Sequence, residues 1–128
     1  MKSLKPLVKI ISWASVGVDP SLMGLGPIEA VRMALKKANS KINDVDLFEI
    51  NEAFAAVALT SGKIASIDEE KVNVHGGAVA LGHPIGASGA RILVTLVHAM
   101  KRYNKKRGVA AICIGGGEAL AVLVELVK

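Results

Sequence analysis

Two side chains able to move protons, His83 and Cys113, stand in two glycine-rich turns: Gly82-His83-Pro84-Ile85-Gly86-Ala87-Ser88-Gly89 and Cys113-Ile114-Gly115-Gly116-Gly117. Imidazole exchanges protons near neutral pH and can polarise a carbonyl or activate a thiol. A thiol serves as nucleophile or as acid/base once its pKa is tuned. Glycine carries no Cβ, so other groups can approach closely. The glycines after Cys113 can turn N–H groups toward a substrate oxygen as an oxyanion hole, or can simply make a tight turn. Each residue also has a plainer reading. A lone Cys ending an apolar strand usually packs as a small hydrophobe, and a loop His often just bonds to backbone.

Asn51 stands between a strand pattern and a helix pattern. There it reads as a helix N-cap, with Glu52 in the first turn, or as an amide able to hold a catalytic water. His75 precedes Gly76-Gly77 and can line the His83 loop, whereas His98 falls near the polar edge of a helix. Gly86 and Gly89 lack the Lys-Ser/Thr ending of a phosphate loop, and Gly24-Leu25-Gly26 lacks the dinucleotide fingerprint. No His, Cys or carboxylate spacing matches a metal site.

The elements that must position these residues follow from periodicity. Leu7–Trp13, Val45–Ile50 and a short Val72-Asn73-Val74 read as strands, and Val109–Ile114 and Leu120–Val127 as central strands of continuous apolar character. Ile28, Val31, Ala34, Leu35 and Ala38 recur at helical spacing behind Pro27, which suits a first helical turn. Glu52–Ile67 is apolar nearly all round, the mark of a buried helix. A third helix runs from about Gly86 to Tyr103, with Ile92, Leu93, Leu96, Val97 and Met100 on one face. The order β-α-β-α-β-α-β-β predicts an α/β fold, a layered domain with a five-stranded mixed sheet, mainly parallel, and helices on both faces. The last two strands should pair antiparallel across their short turn.

The 128 residues suit a single domain, 1–128. Hydrophobic residues make up 52% and charged residues 21%, which suits a sheet covered on both faces or a surface buried against a partner. The net charge of +5 comes mainly from Lys36-Lys37, Lys101-Arg102 and Lys105-Lys106-Arg107, where cations close helices. With 3% aromatics and no matching motif, nucleic acid is not an expected partner. One Cys makes no internal disulfide, no apolar run approaches the roughly 18 residues of a bilayer span, and Met1–Pro6 opens no signal core. A soluble cytoplasmic protein, with no membrane partner, is the expectation.

Taken together, Asn51-Glu52-Ala53-Phe54-Ala55, Gly76-Gly77-Ala78 leading to Gly82–Arg91, and Cys113–Gly117 resemble, in order and spacing, the three signatures of the carboxy-terminal half of the thiolases. Gly17-Val18-Asp19-Pro20 and Met23-Gly24-Leu25-Gly26-Pro27 are similar to the opening of that half. The details look like acetoacetyl-CoA and 3-ketoacyl-CoA thiolases rather than the condensing enzymes of fatty-acid synthesis. Two positions depart from the pattern: His75 where Asn is usual, and Glu118-Ala119 after the triple glycine.

The resemblance implies acyl transfer by Claisen condensation of acyl-CoA molecules, or the reverse thiolysis of a 3-ketoacyl-CoA. It casts His83 as activator of a nucleophilic thiol and, with a water held by Asn51, as binder of the thioester enolate oxygen. Cys113 becomes the acid/base, Gly115 N–H part of a second oxyanion hole, and Met23, Ala53 and Phe54 the lining of the acyl and pantetheine tunnel. Coenzyme A thioesters are substrates, and no metal or redox cofactor is implied. In the family the nucleophilic Cys lies on an amino-terminal domain, and the one Cys here matches the acid/base. The implied partner is therefore that amino-terminal thiolase domain, in a homo- or hetero-oligomer, docked on an exposed apolar face, and the isolated chain is expected to be inactive. The alternative is a non-catalytic thiolase-like interaction domain or truncated relic, which the presence of Asn51, His83 and Cys113 does not favour.

Overall fold

The computed structural model describes residues 4–127. Strand β1 (Val8–Gly17) leads through a 3-10 turn into helix α1 (Gly26–Lys37). Strand β2 (Leu47–Ile50) follows, then helix α2 (Ala55–Ala65), a single-turn helix α3 (Ala78–Leu81) and helix α4 (Ser88–Arg102). Strands β3 (Arg107–Cys113) and β4 (Glu118–Leu126) close the order. They form a four-stranded sheet in the order β1-β4-β3-β2.

The sheet is mixed, but it differs from the expected one in two ways. Only β2 and β3 are parallel, while β1 pairs antiparallel with β4 and β4 antiparallel with β3. The sheet therefore has one parallel pair and is not mainly parallel. Among the described residues there are also four strands rather than five. Val72-Asn73-Val74 makes a single parallel bridge, Val72 with Phe48, and goes no further. Asn73 is the reason: its φ of 48° is left-handed, a region that Asn tolerates and an extended strand does not. Its side chain completes the edge instead, accepting from Ile50 N at 2.9 Å and donating to Ile50 O at 2.9 Å. One amide thus answers both outward-facing backbone groups of Ile50, and the edge of β2 is closed without another strand.

Residue alternation assigns the two faces. Phe48, Ile50, Val109, Ala111, Ala119, Ala121 and Leu123 join Ile28, Val31 and Leu35 of α1 and Val57 of α2 in one core. Leu47, Ala110 and Val124 join Ile92, Leu96 and Met100 of α4 in the other. The expected helices on both faces are therefore present. Glu29 in the first turn of α1 and Lys36 and Lys37 in its last complement the helix dipole. Contrary to the expectation of burial, α2 leaves Leu59 and Ile64 exposed, because only its Val57 side packs into the core. No helix among the described residues is long and apolar enough to cross a membrane.

Candidate functional site

Parallel pairing of β2 with β3, Ile50 opposite Ala111, brings their two C-terminal ends side by side. Open α/β sheets place ligands at such ends. Asn51 extends the ladder by one bond, its N donating to Ala111 O at 2.9 Å, and it is fully buried. Cys113 is the last residue of β3.

Asn51 does not cap a helix. Phe54 occupies the position before α2 with an extended backbone (φ −141°, ψ 151°) and no side-chain cap. The Asn51 amide points instead to His83, with Nδ2 3.4 Å from Nε2, and its Oδ1 accepts from Arg91 Nη2 at 3.4 Å. The other His83 nitrogen, Nδ1, lies 2.5 Å from Ser88 Oγ, which donates its one proton to Pro84 O at 3.0 Å. With that proton committed, Ser88 accepts from Nδ1–H, which leaves a lone pair on Nε2 facing Asn51. His83 in this tautomer is a base aimed into the site, with an amide donor beside it.

Glu52 also lies ahead of α2, not in its first turn. Its carboxylate accepts from Asn73 Nδ2 at 3.1 Å and from Val79 N at 2.9 Å, tying the Gly76-Gly77 loop to the end of β2. A Cβ at Gly77 would meet that carboxylate, so a larger residue there would displace the Glu52 side chain from these bonds.

Cys113 has a different setting. It is 8% exposed, and burial pushes its thiol up from the ordinary range. Behind it the chain folds back, with Ile114 N donating to Glu118 O at 2.7 Å and Val18 N to Gly117 O at 2.9 Å. Gly117 has φ 88°, and a Cβ on it would collide with the Val18 carbonyl. Gly115 is exposed and faces open space: a Cβ there would meet nothing within 4 Å.

Met23 and Phe54 come together, with Leu22, Val57 and Thr60, around an apolar recess of about 360 Å³. Ala53 does not line it; it is half-buried against the core. His75 is exposed with its ring 5.5 Å from that of Tyr103, and His98 is exposed. Neither joins the Asn51 network. No group of three or more His, Cys, Asp or Glu that could hold a metal occurs among the described residues.

The family model "Thiolase, C-terminal domain" matches residues 4–126. The chain belongs to the thiolase family. It is 57% identical over 124 residues to the cytosolic acetyl-CoA acetyltransferase of Mus musculus, covering 97% of this chain and 31% of that protein. Against the acetyl-CoA acetyltransferase of Escherichia coli K12 the identity is 58% over 122 residues, covering 95% of this chain and 31% of that one. The crystal structure of the Bacillus anthracis acetyl-CoA acetyltransferase superposes with a TM-score of 0.94 at 48% identity, over 97% of this chain and 32% of that one. This thiolase chain thus spans about 31% of the length of the curated relatives it matches.

Several members of the site escaped sequence reasoning. Ser88 and Arg91 lie one helical turn apart at the start of α4, a spacing that puts both on one face beneath His83. Glu49 is a charge inside the otherwise apolar run Leu47–Ile50, which signals a buried partner. Asn73 gave no distinct signal, and Glu52 read only as a first-turn acid and part of the first signature.

Proposed function

We propose that this chain supplies the acid/base and oxyanion-binding half of a thiolase active site, acting with a nucleophilic thiol carried outside these residues. The reaction is thiolysis of a 3-ketoacyl-CoA or the reverse Claisen condensation of two acyl-CoA molecules. The observation that carries this reading is the Asn51–His83–Ser88 arrangement at a strand end adjacent to that of Cys113.

The lone pair on His83 Nε2 takes the proton of the nucleophilic thiol supplied from outside these residues, and that thiolate attacks the ketone carbon and keeps the acyl group as a thioester. Nε2–H then donates to the thioester oxygen as that oxygen gains charge, with Asn51 Nδ2 as a second donor, directly or through a water. When the carbon–carbon bond breaks, the acetyl-CoA enolate takes its proton from the Cys113 thiol. In synthesis the Cys113 thiolate removes that same proton. In thiolysis the thiol of CoA then accepts the acyl group, its proton going to the Cys113 thiolate while His83 returns its own to the departing nucleophile. Burial keeps the Cys113 thiol protonated at neutral pH, which suits the acid role. Gly115 N–H, beside open space, serves the second oxyanion hole. The recess at Met23 and Phe54 accepts the acyl and pantetheine portions, with Ala53 behind them.

The chain's one Cys stands at the acid/base position, so these residues alone form no acyl-enzyme. Phe54, Leu59 and Ile64, with Val79, Leu81 and Ile85, leave apolar surface exposed on the segments flanking the site, where an amino-terminal thiolase domain would dock. The unpaired Cys and the cytosolic mouse relative support a cytoplasmic setting.

The test is complementation. The pure chain is mixed with a separately produced thiolase amino-terminal half that carries its nucleophilic Cys, and CoA-dependent loss of acetoacetyl-CoA is followed. Turnover is expected from the mixture and from neither component. Cleavage by the chain alone, or full turnover with Cys113→Ala in the mixture, would sink the reading.

A further inference from the structure

Glu49 is out of place by composition: a carboxylate on a strand whose other members are Leu47, Phe48 and Ile50, and as buried as they are. It shares the α4 face of the sheet with Leu47, and its Oε2 lies 3.5 Å from Nη1 of Arg91. The pairing is loose. Among the described residues, neither carboxylate oxygen of Glu49 and neither Nε nor Nη1 of Arg91 has a hydrogen-bond partner. A buried ion pair so poorly bonded is a weak stabiliser, since two apolar side chains would hold strand and helix together at least as well. The one directed bond that Arg91 makes toward the site is Nη2–H to Asn51 Oδ1, at 3.4 Å.

That contact, long for a hydrogen bond, favours one of two choices. A side-chain amide has a donor end and an acceptor end of nearly the same shape, whereas a guanidinium only donates. With Oδ1 engaged by Arg91, Nδ2 is the end that faces His83 Nε2. We propose that Arg91 is a positioning residue that fixes which end of the Asn51 amide faces the site, and that buried Glu49 anchors Arg91 for that task. Turned over, the amide would present Oδ1 to Nε2 and favour the Nε2–H tautomer, in which the Ser88 hydroxyl turns from Pro84 O to donate to Nδ1. His83 would lose its lone pair toward the site, and Asn51 would lose its donor. What the amide does for substrate rests on the thiolase reading; its orientation does not.

A mere strut between β2 and α4 would affect stability alone, whereas a positioning residue affects the His83 tautomer. The experiment uses the full chain with ¹⁵N-labelled histidine near pH 8, reading the Nδ1 and Nε2 shifts of His83 by long-range ¹H–¹⁵N correlation. In the wild type the Nδ1–H form should dominate. Arg91→Lys keeps a cation opposite Glu49 but loses the fork, and the Nε2–H population should rise about tenfold, the weight of one lost charged hydrogen bond. Glu49→Gln, which leaves the guanidinium unanchored, should move it less in the same direction.

A folded Arg91→Lys chain with unchanged His83 shifts overturns the proposal, as does a wild type already in the Nε2–H form. If Arg91→Lys does not fold, Glu49→Gln decides: unchanged shifts overturn the proposal, and a shift toward Nε2–H upholds it. In the complemented enzyme, kcat should fall about tenfold or more for Arg91→Lys with KM little changed. Should the tautomer respond while even the wild-type mixture shows no turnover, the thiolase reading fails and the positioning role stands.

Discussion

The ends of β2 and β3 lie side by side, yet they are built in opposite ways. At the β2 end, Asn51 is held by His83 and Arg91, His83 by Ser88, and the neighbouring backbone by Asn73 and Glu52. At the β3 end, Cys113 leads into glycines held by two backbone bonds, one to Val18 and one across the turn to Glu118, with Gly115 facing open space. The difference follows from the chemistry each end would perform. An amide and an imidazole act by direction, so their neighbours must fix their orientation before substrate arrives. In the proposed role Cys113 only passes one proton to and from carbon, so it needs less bracing, and the open space lies beside it at Gly115.

The sharpest way to break this contrast is to remove the thiol. In the complemented enzyme, Cys113→Ala should lower thiolysis by on the order of 10²–10⁴-fold, the usual weight of a general acid/base. The same substitution should change the urea-unfolding stability of the chain by no more than about 1 kcal/mol, because a small buried group is exchanged for one of similar size. A large stability loss would mean that Cys113 is a structural member of the core, and the two ends would not then differ as described.

Glu49 gives the second test. Burial raises its carboxyl to about 7, against the partial relief offered by Arg91 and with a further push from Glu52. The unfolded chain releases that proton near the ordinary 4.5. Between those values the native state holds a proton that the unfolded state has lost. Stability therefore falls as pH rises through that window, by on the order of 3 kcal/mol. Urea midpoints measured from pH 5 to 8 should show this slope, and Glu49→Gln should flatten it. A slope that survives in Glu49→Gln would assign the proton elsewhere.

Which parts of this arrangement were legible from sequence follows from what each residue leans on. His83 and Cys113 stood out because glycines mark the turns in which they stand. The apolar spacing of Ile28, Val31 and Leu35, and of Ile92, Leu96 and Met100, located α1 and α4 for the same local reason. Asn51 was ambiguous, since an amide between a strand and a helix satisfies the N-cap pattern. Only the extended Phe54, which delays α2 to Ala55, frees that amide for His83. The absent fifth strand is of the same kind. Val72 and Val74 favour extension, but Asn73 adopts a left-handed backbone and bonds Ile50 from its side chain, a long-range contact without local periodicity. The exposure of α2 was hidden because an apolar helix reads alike whether its cover lies in the same domain or in another.

Asn73 therefore offers the smallest and cleanest test of the braced end. Asn73→Gly keeps access to the left-handed backbone, so the substitution removes the bonds to Ile50 and Glu52 without adding strain. Each such bond contributes about 0.5–1.5 kcal/mol net, and water can reach the edge of β2 once the amide is gone. A loss of about 2 kcal/mol in urea unfolding is expected. Asn73→Ala should lose about 1 kcal/mol more, because alanine pays for a positive φ. Equal losses from the two would mean that the loop relaxes to an ordinary backbone once the amide is gone. No measurable loss from Asn73→Gly would mean that the edge of β2 is held by the Phe48–Val72 bridge and not by the Asn73 side chain.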